Sequence, residues 1–94
     1  MKLLIAYDVA TVDKAGRRRL RRVARACQDF GVRVQKSVFE CLVGAMEWTQ
    51  LRYRLLDEIK ADEDSLRVYH LDGDVKVEHF GVNTPPDLEG DLVI

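Results

Sequence analysis

Leu3-Leu4-Ile5-Ala6-Tyr7-Asp8 is a nearly unbroken apolar run that stops abruptly at a carboxylate. Three consecutive aliphatic residues mark a central strand covered on at least one face, running from about Lys2 to Tyr7. Asp8 then ends the strand ahead of the polar connection Ala10 to Asp13. A carboxylate there has two readings: it caps a turn through nearby backbone amides, or it is a ligand delivered to the sheet edge.

Working outward, the next segment predicts a helix that starts after Thr11 or Asp13 and ends at Phe30-Gly31, with the glycine permitting a left-handed stop. Leu20, Val23, Ala24, Cys27 and Phe30 recur at three- and four-residue steps and form the stripe that faces the sheet. Six arginines occupy the nine positions from Arg17 to Arg25, with no acid among them to neutralise them at i,i+4 spacing. A solvated face normally mixes signs, and the guanidinium fork suits bidentate phosphate contact, so Arg17, Arg18, Arg21, Arg22 and Arg25 are candidate nucleic-acid ligands. Arg33 and Lys36 extend that set into the next element.

Gly31 to Val43 predicts a tight hairpin broken near Lys36-Ser37, its alternation separating Val38, Glu40 and Leu42 from Phe39, Cys41 and Val43. A second helix is expected over roughly Ala45 to Lys60, burying Trp48, Leu51, Leu55 and Ile59, widened by Leu56, with Arg54–Glu58 as a surface pair. Leu66 to Leu71 alternates as a fourth strand. Asp72-Gly73-Asp74 signals a turn, and Val75 to Phe80 reads as a fifth strand. The order β-α-β-β-α-β plus one strand points to an α+β, ferredoxin-like sandwich with both helices on one sheet face. It forms a single domain, 1–94. Pro85-Pro86 interrupts regular structure, leaving residues 83–94 as a tail expected to dock on a sheet edge, with the edge strand of a second protomer an attractive site.

Ninety-four residues fall near the lower end of comfortable self-sufficiency, so pairing into a homodimer is expected to add stability. No apolar run approaches the ~20 residues that span a bilayer, and Met1-Lys2 leads directly into a strand, so a cytoplasmic protein without signal peptide or membrane contact is expected. Cys27 and Cys41 lack a metal-type spacing and read as reduced core residues. His70 and His79 read as exposed or satisfied strand histidines rather than ligands. The net charge of -1 conceals strong polarity: Lys14 to Lys36 holds nine bases against one acid, and Asp57 to Ile94 holds eleven acids against three bases. Local field, not net charge, governs attraction to phosphate. One strand-terminal carboxylate is a thin site for Mg²⁺, and a two-fold dimer would supply the second.

Ala6-Tyr7-Asp8-Val9, the arginine-rich helix and above all Phe30-Gly31-Val32-Arg33-Val34-Gln35-Lys36-Ser37-Val38-Phe39-Glu40-Cys41 resemble the CRISPR-associated protein 2 family. The likeness spans nearly the whole chain, including Asp64-Ser65-Leu66-Arg67-Val68-Tyr69. Val77-Glu78-His79 and Asp87-Leu88-Glu89 look most like the branch accompanying type I-C systems. The resemblance implies a homodimer that works with the integrase, CRISPR-associated protein 1, in spacer acquisition for antiviral defence. It also implies a Mg²⁺ (or Mn²⁺) dependent endonuclease acting on RNA or duplex DNA. Asp8 matches the family's metal-binding aspartate, while Tyr7, Arg33, Ser37 and Phe39 match positions flanking the catalytic cleft. Two alternatives stay open: a non-catalytic adaptor that bridges integrase dimers and positions DNA, and a ferredoxin-like RNA-binding or toxin-type ribonuclease module outside CRISPR immunity.

Overall fold

The computed structural model describes residues 1–82; the predicted tail, 83–94, lies outside the described residues. The chain runs β1 (Lys2–Asp8), α1 (Lys14–Phe30), β2 (Gly31–Gln35), β3 (Val38–Leu42), α2 (Ala45–Glu58), β4 (Ser65–His70) and β5 (Lys76–Gly81). These strands form one antiparallel sheet in the order β2-β3-β1-β4-β5. The fold is the expected α+β, ferredoxin-like βαββαβ arrangement with an additional strand.

Alternation along the strands decides which face is covered. Leu3, Ile5 and Tyr7 of β1, Phe39 and Cys41 of β3, and Leu66 and Val68 of β4 are all buried. They meet Val23, Ala26 and Cys27 of α1 and Trp48, Leu51 and Leu55 of α2 in one core. Asp13 begins α1, its Oδ1 accepting from the Gly16 N–H at 2.7 Å, and the Glu47 carboxylate accepts from the Gly44 N–H at 2.9 Å to start α2. Both helices lie on this one face. The other face presents the alternate residues, among them Leu42, Val32 and Val77 at 81%, 69% and 52% exposure. An apolar sheet face left open on this scale has the character of an association surface.

Two expectations are corrected. Gly31 does not make a left-handed stop; its φ and ψ of -157° and -168° are extended, and α1 passes into β2 with no loop. Glycine is needed there because a Cβ would collide with the Cys41 Sγ and the Glu40 carbonyl. Arg54 does not pair with Glu58 along α2. Instead Arg54 Nη1 reaches Asp29 Oδ2 at 2.9 Å and Glu58 takes Arg22 at 3.4 Å, so both charges tie α2 to α1.

Candidate functional site

β1 is the middle strand, and Asp8 is its last residue, opposite Ser65 of β4. Tyr7 points into the core, so the alternation of the strand puts exposed Asp8 on the open face. Among the described residues no group of three His, Cys, Asp or Glu is placed to hold a metal ion. Asp8 is a hard oxygen donor of the kind Mg²⁺ takes, and Mg²⁺ is usually bound by one or two carboxylates together with substrate phosphate.

The other residues matched to the cleft gather at the same end of the sheet. The β2–β3 turn carries Lys36 and Ser37, and the Tyr7 N–H donates to the Ser37 carbonyl at 3.1 Å. Tyr7 and Phe39 stack with ring centroids 6.2 Å apart, and the Arg33 guanidinium lies 5.1 Å from the Phe39 ring centre. This stack stands on the helix-covered side of the sheet, across the sheet plane from Asp8. Burial pushes the Tyr7 phenol up, assisted by Cys27 and opposed by Arg33, so it stays a neutral hydrogen-bond donor. A shift in the β2–β3 pairing between Arg33 and Gln35 bulges the strand beside this group.

The arginine helix is less uniformly unpaired than its sequence implies. Arg25 does find an i,i+4 acid, Asp29, at 3.4 Å, and Arg22 pairs with Glu58. Arg19 is turned inward to Asp64. Of the six arginines on α1, Arg17, Arg18 and Arg21 are exposed and form no ion pair among the described residues, as is true of Lys14 on the same helix and of Arg33 and Lys36 beyond it. These three arginines crowd the end of the molecule where β1 delivers Asp8, but on the side away from it.

Asp64 was not singled out in the sequence, where it stands third in a run of interchangeable acids, Asp62-Glu63-Asp64. In the fold it is fully buried. Its carboxylate accepts from Arg19 Nε at 2.9 Å, Arg19 Nη2 at 3.2 Å, the Lys60 N–H at 2.8 Å and the Ala10 N–H at 3.1 Å. Burial alone would raise its carboxyl, but Arg19 and the two amides outweigh burial and hold it below the usual carboxylate range. The Asp64 carbonyl accepts from Val82 N–H at 2.8 Å, and Gly81, at φ +94°, is the close neighbour that lets β5 pass. Its place directly before an alternating strand was the only sequence signal available.

The remaining chemistry-bearing residues are engaged. His70 Nε2 is 2.6 Å from Glu78 Oε1, and His79 Nε2 is 3.2 Å from Ser65 Oγ. Cys27 and Cys41 are free and buried, their thiols pushed up to about 12 and about 11 by burial, which makes them packing residues. No helix among the described residues is long and apolar enough to cross a membrane.

The family model described as CRISPR associated protein Cas2 matches residues 1–78. A CRISPR-associated endoribonuclease Cas2 from Nitratidesulfovibrio vulgaris is 50% identical over 96 residues, covering all of this chain and 94% of the relative. One from Chlorobaculum tepidum is 51% identical over the full length of both. A CRISPR-associated endonuclease Cas2 from Halalkalibacterium halodurans is 47% identical, covering 99% of each chain. The crystal structure of Streptococcus pyogenes Cas2 at pH 6.5 superimposes with a TM-score of 0.70 at 49% identity, covering 76% of this chain and 86% of that one. With half of its residues shared over the full length and the same sheet and helices in space, the chain belongs to the CRISPR associated protein Cas2 family.

Proposed function

We propose that the chain is a metal-dependent endonuclease subunit of CRISPR adaptation, cleaving RNA or DNA as a homodimer in which two Asp8 carboxylates meet. The observation that supports this most directly is the position of Asp8. It is the terminal, exposed acid of the central strand, on the sheet face that no helix covers among the described residues. Packing that face against a second copy buries Val32, Leu42 and Val77 and brings together two half-sites. Mg²⁺ or Mn²⁺ held by Asp8 would polarise the scissile phosphate and lower the pKa of bound water. The chain's own part is to hold the carboxylate rigidly at a strand end and to bring cations to the phosphate backbone. Relatives that carry the names endoribonuclease and endonuclease favour the same chemistry. The type I-C affinity and the integrase partnership belong to this reading as well.

A second reading, an adaptor that positions DNA for the integrase without cutting it, is favoured by one observation. Exposed Arg17, Arg18 and Arg21 lie on the helix side of the sheet, away from Asp8. A nucleic acid bound along α1 therefore need not enter the Asp8 cleft. A metal-titrated cleavage assay on RNA and duplex DNA separates the two. Under the nuclease reading Asp8→Ala abolishes cleavage and leaves a folded dimer; undiminished cleavage ends it. Under the adaptor reading spacer acquisition survives Asp8→Ala and fails when Arg17, Arg18 and Arg21 become Glu.

A further inference from the structure

The open face is apolar over much of its width but polar beside Asp8. Ser65 of β4 is directly opposite Asp8, Arg67 is two residues further along the same face, and His79 of β5 is directly opposite Arg67. Leu66 and Val68 are buried on the other face at 1% and 0%, which confirms that Ser65 and Arg67 share the side of Asp8. Residues diagonal across an antiparallel pair stand ~7–8 Å apart at Cα, within reach of a long side chain, so the strip between Asp8 and His79 is within reach of Arg67. Two strand spacings, roughly 10 Å, separate β1 from β5, enough to seat one phosphodiester. Ser65 Oγ lies 3.2 Å from His79 Nε2, and among the described residues no hydrogen bond is made by Nδ1.

We propose that Arg67 and His79 are further catalytic residues of this site: Arg67 binds the scissile phosphate, and His79, oriented by Ser65, protonates the departing oxygen. This rests on the nuclease reading. Water adds to phosphorus as the bond to the departing oxygen breaks with its electron pair. The Nδ1 proton of the imidazolium passes to that oxygen, and the proton shed by the attacking water restores the imidazolium through solvent. The charged groups facing His79 are Arg67 on β4 and, one strand further, Asp8 on β1; Glu78 and His70 occupy the opposite face. Arg67 supplies the planar fork suited to two phosphate oxygens, placed to meet negative charge as it develops on the phosphate.

The test uses the full chain with its metal on two oligonucleotides. One is all-oxygen. The other carries a bridging phosphorothiolate at the departing position, whose sulfur leaves without a proton. His79→Gln, which keeps a donor for Ser65, should slow cleavage of the oxygen substrate about 10²-fold. It should remove the alkaline limb of the pH–rate profile and return to within a few-fold of wild type on the thiolate. Arg67→Gln should slow both substrates alike, with Arg67→Lys recovering part of the rate. Wild-type rates for His79→Gln on both substrates, or equal losses on both, overturn the role of His79; an unchanged Arg67→Gln overturns that of Arg67. Asp8→Ala separates the levels, since it should be inactive on both substrates. Persistent cleavage there, or a wild type that never cuts, removes the nuclease reading and this proposal with it.

Discussion

At the residue scale, the molecule depends on a buried acid more than on its exposed ones. Asp64 receives four hydrogen bonds from three segments and pairs with Arg19 out of water. Removing one partner of such a pair strands the other charge. Asp64→Asn should therefore cost about 3 kcal/mol in denaturant unfolding. The sign of the pH dependence follows from the direction of the shift. The folded carboxyl is held below its unfolded value, so its contribution is complete above the ordinary carboxylate range, about pH 4. It is lost progressively as pH falls from there through the folded pKa. Asp64→Asn should melt lower at neutral pH and show a flatter acid limb than wild type. The cysteines give a kinetic counterpart. With Cys27 pushed up to about 12 and fully buried, a thiol-specific chromogenic reagent at neutral pH should label neither cysteine at an appreciable rate until denaturant is added.

At the element scale, α1 is fastened at both ends by features that differ in how openly the sequence shows them. Its N-terminus is legible: Asp13 caps it as the residue type demands. Its C-terminus is not. Gly31 looks like an ordinary helix stop, yet it is an extended strand residue with Cys41 and Glu40 pressed against its Cα. A stop requiring only backbone freedom would tolerate Asn, whereas this one tolerates no Cβ. Gly31→Ala should destabilise the fold by about 1–3 kcal/mol through overpacking, measured as a shift in urea midpoint at unchanged m-value. The arginine face follows the same division. Spacing along α1 shows six like charges and one acid, Asp29, four residues past Arg25, but only the packing of α2 brings Glu58 to Arg22 and Arg54 to Asp29. The helix arginines left for nucleic acid are thereby narrowed to Arg17, Arg18 and Arg21, with Arg33 and Lys36 still exposed beyond the helix.

At the scale of the whole molecule, a chain of net charge -1 is expected to bind a polyanion because its charge is sorted in space. Replacing Arg17, Arg18 and Arg21 together by Gln should weaken single-strand binding. It should also reduce the slope of log K against log salt by about 2, the release expected for three phosphate contacts at ~0.7 each. The open face carries the second expectation. Leu42 sits on it, 81% exposed and opposite Lys2 at the end of β1 away from Asp8. Leu42→Glu should shift sedimentation from dimer to monomer and abolish cleavage, with the far-ultraviolet circular dichroism of the monomer unchanged. A stable, active Leu42→Glu dimer would place the interface elsewhere.

The sequence by itself determined the element order, the alternation of β1, β3 and β4, the start of α1 and the family. All of these depend on local period, capping chemistry or a contiguous motif, which a linear pattern carries in full. Tertiary structure alone decided that Asp8 and the Tyr7–Phe39–Arg33 stack stand on opposite faces of the sheet, and that Arg19 and Arg22 are already paired with acids of other elements. It alone distinguished Asp64 from its two acidic neighbours and aligned Ser65, Arg67 and His79 beside Asp8. Most of those relations join residues far apart in the chain, as Arg19 and Asp64 are at 45 positions, and their energies come from burial and cross-strand register. Neither exists until the sheet has formed.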